Sequence, residues 1–480
     1  MLRITDDNRR WWVLAGSSTG LFVLMLDSTV VALALAPIRV DLGASTAGLQ
    51  WVQNVYLLTI AAFVITFGRA GDVFGRRRVF QLGMAGFALG SLVSATAGSI
   101  DQLIVGRTIQ GLGAAALLAQ SLALVTSVFA PSDRARALGI WAAVSSLALA
   151  LGPLLGGAVV EFASWRWLFW INLPLVAAGV AIVAAATPES RDETATRRFD
   201  VAGLVAVAVG LTGVVLALVQ AKQWSGPAVL CALGVGVAAL AIFWVVEHRV
   251  ESPIVDFSLF RNGPYFGASA AAFTLVGCYW AVMFFVPQYL QLVLGYSTFE
   301  SGVLVLPVTA PMLVFSALAG RLIDRFGARA LMTTGMACAA AGMLIVTRVD
   351  GASGYALLLP GLLLFGVALG LVYAPMSAAA MAAMPDSKAG IASGVLAMDR
   401  TLAGALILAA GGALFQHVEL EQRTGLGFDA AFADALAATS WLLAGVLTVG
   451  ALLTWRFVRS APPPQPPPDQ HRMHHRRFHL

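Results

Sequence analysis

The sequence predicts an all-α integral membrane protein built from two six-helix bundles and two additional transmembrane helices, fourteen spans in all. Of the 480 residues, 59% are apolar and only 11% are charged, whereas a soluble domain carries about 25% charged residues. Long apolar runs follow one another and are separated by short charged gaps. One gap, residues 68–77, recurs as residues 320–329 with the aspartate, the phenylalanine, both glycines and two arginines unchanged. This repeat indicates a doubled helical bundle, which transporters use to rock one half against the other.

Each span is predicted from its length. A helix needs about 20 mainly apolar residues to cross roughly 30 Å of hydrocarbon, and fourteen runs of this chain are long enough. The predicted spans lie near 11–36, 49–69, 79–98, 103–127, 137–160, 167–187, 201–220, 227–247, 265–293, 301–320, 330–347, 355–383, 390–415 and 439–458.

The positive charges test this count independently. With the N-terminus in the cytoplasm, most lysines and arginines fall in cytoplasmic segments, and those in the outer loops are Arg39, Arg166, Lys222, Arg348 and Arg423. Because lysine and arginine normally stay on the cytoplasmic side, this distribution predicts that both termini are cytoplasmic. The basic pI near 9.4 is then explained by loop topology, and we expect no nucleic-acid partner.

The repeated loop also predicts the domain organisation. Both copies connect the second and third helices of a six-helix unit only if the seventh and eighth spans are additional. We therefore predict a cytoplasmic N-terminal tail at 1–10, an N-terminal bundle at 11–187, a linker with two additional helices at 188–264, a C-terminal bundle at 265–458 and a disordered Pro/His/Arg-rich cytoplasmic tail at 459–480. The tail histidines are not held by a fold, and the three cysteines lack metal-ligand spacing, so we expect no metal site.

The loop at 68–77 combines glycines with charges. Glycine permits a tight turn against a helix end, and Asp72 can pair with an arginine or face a helix N-terminus. The loop resembles the signature of the major facilitator superfamily, Gly-x-x-x-Asp-Arg-x-Gly-Arg-Arg, and departs from it at Val73, where the family usually has arginine. We interpret it as a latch that holds the inward-closed state; the alternative is a solvated loop that only sets topology. The predicted latch residues are Gly68, Asp72, Gly75, Arg76, Arg77, Asp324, Arg325 and Arg329.

Further stretches resemble one branch of that superfamily. Residues 26–37 are similar to the first-span motif of the fourteen-span drug:proton antiporter family, residues 107–114 match the fourth-span motif, and residues 165–174 are typical of the same exporters. The fifth-span motif associated with antiporters is matched by Gly152, Pro153, Gly156 and Gly157, although Ala148 replaces one expected glycine. The resemblance implies a major facilitator fold, multidrug or antibiotic efflux in exchange for protons, and no cofactor, with the proton gradient as the energy source.

Four charged residues stand out within the predicted spans, where a charge is costly and usually functional. They are Asp27, Arg107, Asp399 and Arg400. We predict that Asp27 carries a proton, since a poorly hydrated carboxyl binds protons more readily; the alternative is a structural hydrogen-bonding role. Arginine does not titrate at accessible pH, so Arg107, whose motif the resemblance links to proton transfer, is expected to act electrostatically or as a structural ion pair. Asp399 and Arg400 complete the predicted set for proton coupling or charge relay. One interpretation is that they neutralise each other as neighbours, although adjacent residues do not share a helix face; the alternative is that each has a separate partner and a role in gating or substrate contact.

A substrate surface is predicted on the ninth and twelfth spans. Aromatic faces with a few polar groups suit a small lipophilic molecule, a cationic one included; the alternative is that these side chains face lipid or pack. The candidates are Trp280, Phe284, Phe285, Gln288, Tyr289, Gln291, Tyr373 and Met376. Glu161, at the outer end of the fifth span, is expected to reach water.

We expect a monomer in a bacterial cytoplasmic membrane that exports small lipophilic molecules in exchange for protons by alternating access. A proton-coupled symporter or a lipid or metabolite transporter of the same superfamily is the main alternative, and the fifth-span motif argues for export. A membrane-embedded enzyme is a distant alternative. Residues 16–20 fit Gly-x-Ser-x-Gly but lie inside a span, where the strand-to-helix turn of a nucleophile elbow does not form, so no enzymatic activity is expected.

Overall fold

The computed structural model describes residues 4–193, 199–250, 253–350, 353–385 and 388–458. The predicted tail at 459–480 and its histidines lie outside the described residues. Within the described ranges the secondary structure is helical. The helices are α1 Asp6–Leu42, α2 Thr46–Phe74, α3 Arg76–Ala95, α4 Ile100–Val128, α5 Pro131–Phe162, α6 Trp167–Trp170, α7 Asn172–Ala186, α8 Val201–Val219, α9 Gly226–Glu247, α10 Gly263–Leu292, α11 Thr298–Val346, α12 Tyr355–Ala382, α13 Ala389–Leu426 and α14 Phe428–Phe457, with a 3₁₀ helix at Phe257–Arg261.

Thirteen helical segments of the described chain are long and apolar enough to cross a membrane, with α6 and α7 counted together. The difference from the fourteen predicted runs lies in α11, a 49-residue helix that takes up both the tenth and the eleventh run. Helix α11 is broken at Gly327, whose φ of 77° and ψ of 152° are not helical. The matching residue of the first loop, Gly75, has a φ of 111° and separates α2 from α3. Glycine adopts these positive φ angles without a side-chain clash, so both copies of the loop turn at the same residue.

Two groups of helices repeat one packing order. We call residues 6–186 the N half and residues 263–457 the C half. In the N half, α1 packs against α4, α5 and α7, while in the C half α10 packs against α12, α13 and α14. The halves meet through α5 with α11, α2 with α13 and α1 with α10. Helices α1 and α10 are the most buried of the long helices, so they form the centre of the molecule.

Helices α8 and α9 pack against each other and attach at the edge between the halves, because α8 contacts both α2 and α13. The segment after α9 is tied to the C half. The Lys388 ammonium donates to Asp256 Oδ2 at 2.8 Å, and this hydrogen bond holds the pKa of the Asp256 carboxyl below its ordinary value. Asn262 donates from Nδ2 to the Ala383 carbonyl at 2.8 Å, which fixes the start of α10.

The outer surfaces of the long helices carry large exposed apolar side chains, among them Leu230, Ile242, Trp244, Trp441 and Leu452. Contiguous apolar surface is costly in water but not against lipid tails, and it marks membrane or partner contact. Together with the length and hydropathy of the helices, this surface describes a multi-pass membrane protein.

The helix bundle has two ends, which differ in how the halves meet. We call the end that carries residues 68–77 and 320–329 the latch end, and the end that carries residues 43–45 and 293–297 the far end. Helix α2 and the first part of α11 both run from the far end to the latch end. The end of α5 contacts the start of α11 at the far end, so this orientation is shared by both halves.

Candidate functional site

A central cavity of about 90 Å³ lies between the N half and the C half. Its N-half wall is apolar and includes Met25, Leu118 and Leu149. Its C-half wall carries the aromatic and polar groups, namely Tyr279, Trp280, Tyr373, Arg400 and Thr401. Arg400 is the only charged side chain among the described residues that line it. Ligand pockets are typically lined in this way, by apolar and aromatic side chains with a few polar groups.

Asp27 lies in the core of the N half with no exposure to solvent. Its carboxylate accepts a hydrogen bond from Arg107 Nη1, a second from Gln110 Nε2 at 3.1 Å and a third from Asn172 Nδ2 at 2.9 Å. Arg107 is also fully buried and forms an ion pair with Asp27. Because an isolated charge is very costly to bury, each group depends on the other and on the additional donors for compensation.

The guanidinium of Arg107 is held by further contacts. Its Nε donates to the Val52 carbonyl at 3.3 Å, and its Nη1 also donates to Gln110 Oε1 at 2.9 Å. The guanidinium carbon lies 4.0 Å from the ring centroid of Tyr56, in a cation–π contact. Its Nη2 is buried without a hydrogen-bond partner among the described residues, so one donor is left for another acceptor when the pair rearranges.

Three residues of this network, Ser91, Gln110 and Asn172, are not among those predicted from the sequence. Ser91 Oγ accepts hydrogen bonds from Gln110 Nε2 at 2.8 Å and from Asn172 Nδ2 at 3.3 Å. The sequence contains a signal for two of the three. Gln110 follows Arg107 by three residues and therefore shares its helix face. Asn172 is the one polar residue in the apolar run 167–173.

Asp399 and Arg400 have separate partners. Asp399 is buried and accepts a hydrogen bond from Ser269 Oγ on α10. Arg400 points to α12 instead, where its Nη2 donates to Ser377 Oγ and its guanidinium carbon lies 4.8 Å from the ring centroid of Tyr373. Adjacent residues of a helix point about 100° apart, so one charge is enclosed in the C half while the other faces the cavity.

The predicted substrate surface is only partly at the cavity. Trp280 and Tyr373 line it, but six other candidates do not. Phe285 stacks on Phe415 inside the C half, and the Tyr289 hydroxyl donates to the carbonyls of Asp350 and Ser353. The residues that pack or bond elsewhere are Phe284, Phe285, Gln288, Tyr289, Gln291 and Met376. Tyr279, which was not predicted, takes a place on the wall.

The far end is closed by contacts between the halves. Glu161 is exposed, as expected, and it also accepts hydrogen bonds from the backbone N–H groups of Thr298 at 3.0 Å and Phe299 at 3.4 Å, at the start of α11. A carboxylate is favoured there by the exposed N–H groups and the dipole of a helix N-terminus. Gln291 adds a hydrogen bond from its Nε2 to the Leu33 carbonyl at 3.1 Å. These bonds join the two halves across the far end.

The glycines of the fifth-span motif lie at two helix contacts. A Cβ atom on Gly152 or Gly156 would overlap Thr29 or Val30 of α1, within the N half. A Cβ on Gly157 would lie 2.7 Å from the Thr298 carbonyl oxygen of α11, in the C half. Pro153 brings its carbonyl oxygen against Gly302 of the same helix. The motif is therefore the contact surface that joins α5 to α1 and to the opposite half.

The predicted latch residues of the first copy bond to the chain that follows α7. Asp72 accepts a hydrogen bond from Arg76 Nη2 at 2.8 Å, while the backbone N–H of Arg77 donates to Glu189 Oε1 at 3.1 Å. Gly68 lies at the latch end beside Gln120, which donates to its carbonyl at 3.3 Å. In the second copy, Asp324 and Arg325 are exposed, and Arg329 lies over the Trp455 ring.

These groups place a buried carboxylate–arginine pair in the N half and an arginine at the cavity between the halves. A carboxylate beside an arginine releases or binds a proton as the distance between them changes. In the part of the chain that the structure describes, no group of three or more His, Cys, Asp or Glu side chains is arranged to hold a metal ion.

Comparison with known proteins adds four findings. The family model of the Major Facilitator Superfamily matches residues 18–408. The chain is 35% identical over 392 residues to Multidrug resistance protein Stp of Mycobacterium tuberculosis, covering 81% of this chain and 73% of that protein. It is 33% identical over 400 residues to the Tetracenomycin C resistance and export protein of Streptomyces glaucescens, covering 83% and 74%. The crystal structure of a D-xylose-proton symporter shares the fold, with a TM-score of 0.66 at 16% identity over 94% of this chain and 98% of that chain.

Proposed function

Since this chain belongs to the Major Facilitator Superfamily and is therefore a membrane transporter, we propose that it exports lipophilic, drug-like or antibiotic molecules across the cell membrane in exchange for protons. Relatives that cover most of the chain bear the names of a multidrug resistance protein and of an antibiotic resistance and export protein, which supports export over uptake. The two halves then alternate in exposing the central cavity to either side of the membrane.

One structural observation supports coupling between proton binding and substrate movement. Helix α1 contributes Met25 to the cavity wall, Asp27 to the ion pair with Arg107, and Thr29 and Val30 to the contact with the fifth-span motif. Within six residues, a single helix thus contacts the cavity, contains the proposed proton carrier and contributes to the surface that closes the far end. A change in the charge of Asp27 shifts α1 against its neighbours. The shift also changes the cavity wall and the contact with the fifth-span motif.

The transport cycle follows from this arrangement. A proton that reaches Asp27 from outside the cell neutralises the carboxylate, which weakens its attraction to Arg107. The released guanidinium turns to another acceptor, and α1 moves relative to α4 and α5. Loss of the proton to the cytoplasm restores the ion pair. Exchange results if substrate occupies the cavity while Asp27 is in one protonation state and leaves the cavity while Asp27 is in the other.

The proposal includes fourteen crossings and cytoplasmic termini. At 1.5 Å per residue, the 49 residues of α11 would extend about 74 Å as one helix, far more than the roughly 30 Å of hydrocarbon. The break at Gly327 divides α11 into two lengths that each suffice for a crossing. With the N-terminus inside, the latch end is cytoplasmic and the closed far end faces outward. The cavity is then in an inward-facing state.

Cells that express the intact chain are expected to accumulate several-fold less of at least one dye from a panel of lipophilic fluorescent dyes. An ionophore that collapses the proton gradient should abolish the difference. Asp27→Asn should accumulate the dye as vector-only cells do, whereas Asp6→Asn, which changes an exposed aspartate on the same helix, should export normally. Equal export by Asp27→Asn would remove Asp27 from the mechanism, and export that survives the ionophore would contradict proton drive.

A further inference from the structure

We propose that the central cavity selects lipophilic molecules that carry an anionic group, with Arg400 as the residue that binds the anion. This inference rests on the proposed transport function and names its substrate class. The sequence alone pointed to a lipophilic molecule with a cation allowed, because the candidate residues were aromatic. The geometry of the cavity reverses that preference.

The first argument is charge. Arg400 is a permanent cation and is the only charged side chain among the described cavity-lining residues. In the described chain, no carboxylate oxygen lies within the 4.0 Å that defines an ion pair with it. Asp399 is next in sequence, but its carboxylate is turned to Ser269 on α10. The cavity therefore has a positive potential that no neighbouring acid cancels through direct contact.

The second argument is unused hydrogen-bonding capacity. The Arg400 guanidinium donates from Nη2 to Ser377 Oγ, and its Nε is buried without a hydrogen-bond partner in the described chain. Guanidinium groups bind carboxylates through pairs of parallel N–H donors. Nη1 of Arg400 makes no hydrogen bond in the described chain and is accessible, so it is the donor at the cavity wall that an anionic ligand group can reach.

The third argument concerns the aromatic rings, which would attract a cationic ligand but are already in contact with other groups. A ring attracts a cation through its face, and the Tyr373 ring is already engaged by Arg400 at 4.8 Å. The Trp280 indole packs against Gly404 and meets Tyr279 edge to face at 5.5 Å between centroids. A ligand cation would therefore meet like charge near Tyr373. The apolar wall of Met25, Leu118 and Leu149 suits the uncharged body of the same ligand.

The test measures binding to the full-length chain in nanodiscs, by energy transfer from tryptophan to pyrene, with empty nanodiscs as the blank. Three probes share one aromatic body: pyrenebutyrate, its methyl ester and pyrenebutyl trimethylammonium. We expect the intact chain to bind the carboxylate about tenfold or more tightly than the ester, as a charge-assisted hydrogen bond predicts, and the ammonium more weakly still. Equal affinity for the carboxylate and the ester, or tighter binding of the ammonium, would overturn the inference.

Variants locate the effect. Arg400→Gln should bring the carboxylate to within about threefold of the ester and leave the ester unchanged, while Arg400→Lys should keep part of the preference. Arg423→Gln is the matched control, because Arg423 also lies on α13 over an aromatic ring, that of Phe428, but is away from the cavity. An equal loss of all three probes in Arg400→Gln would contradict anion binding by this residue. If Arg400→Gln does not fold, Arg400→Lys and Arg423→Gln are compared instead. Loss of the carboxylate preference in both variants would then contradict anion binding by Arg400.

This binding test is independent of transport. A chain that prefers the carboxylate through Arg400 but shows no proton-dependent export would defeat the proposed function and leave the anion site standing. A chain that exports dyes with the proton gradient but has no preference for the carboxylate would defeat the anion site and leave the proposed function standing.

Discussion

Arg107→Gln should destabilise the protein by about 3–5 kcal/mol, because removing one partner of a buried ion pair leaves the other charge uncompensated. Asp27 and Arg107 both have no solvent exposure, so water cannot replace the lost partner. Asp27→Asn should cost a comparable amount, since it leaves the guanidinium with a weaker, neutral acceptor. The measurement is the free energy of unfolding of the purified full-length chain in detergent or nanodiscs.

The double variant Asp27→Asn with Arg107→Gln separates pairing from each residue's own packing. Its unfolding free energy should lie above that of either single variant, because no unpaired charge is left in the N half. Its proton-dependent export should nevertheless be absent, since the carboxyl proposed to carry the proton is gone. Simple additivity of the two single losses would contradict the ion pair, and proton-driven export by the double variant would contradict its role in coupling.

A matched control is available at the latch end. Arg10 and Asp133 approach to 2.7 Å, but both side chains are nearly half exposed. An exposed pair of this kind contributes at most about 1 kcal/mol. Asp133→Asn should therefore change the unfolding free energy far less than Asp27→Asn, although both substitutions remove one carboxylate charge.

Gly157→Leu should prevent the far end from closing. A Cβ at this position would already lie 2.7 Å from the Thr298 carbonyl oxygen, and 3.1 Å from the Phe299 Cα, so a leucine side chain must push α11 away from α5. Overpacking costs about 1–3 kcal/mol, which corresponds to a shift of roughly 5- to 150-fold in the ratio of closed to open far end. Export should fall with that population.

The distance between α5 and α11 reports this change directly. Spin labels at Ala163 and Val303, in a chain whose three cysteines have been replaced, should show a longer mean distance in Gly157→Leu. Gly139→Leu is the control, because Gly139 lies on the same helix with open space around its Cβ position. An unchanged distance in Gly157→Leu, or the same lengthening in both variants, would contradict closure by the motif.

The helical architecture could be predicted because it depends on local patterns. Apolar runs long enough for a membrane mark the helices, and the repeated loop marks the two halves. Even the glycine at each helix break is visible, since Gly75 and Gly327 occupy the same place in the repeat. Buried charges can also be recognised from the sequence, because Asp27 and Arg107 interrupt apolar runs.

The partners of these residues could not be predicted in the same way. Asp27 and Arg107 are separated by 80 residues, and their meeting depends on how α1 and α4 are rotated about their axes. On α10, apolar residues surround the helix on every side, so no periodicity distinguishes the face toward the cavity from the faces that pack. Phe284, Phe285 and Tyr289 were for that reason assigned to the substrate surface, whereas the structure buries them in the C half.

Glu161 shows a further limit. A carboxylate at the end of a span reads as a group that returns to water, and only the position of α11 reveals that it accepts hydrogen bonds from the first N–H groups of that helix. Contacts between the halves depend on the relative placement of two bundles, about which a single bundle's sequence carries no information.

The direction of proton movement tests the exchange mechanism most directly. In inside-out vesicles that contain the intact chain and hold an acidic lumen, a dye exported by cells is added to the medium while lumenal pH and dye content are followed. Exchange predicts that dye enters the lumen as protons leave it, so the lumenal pH rises with dye uptake, and that vesicles with the Asp27→Asn, Arg107→Gln double variant show neither change. Dye and protons leaving the lumen together, or dye entry without any proton flux beyond that of the double variant, would contradict it.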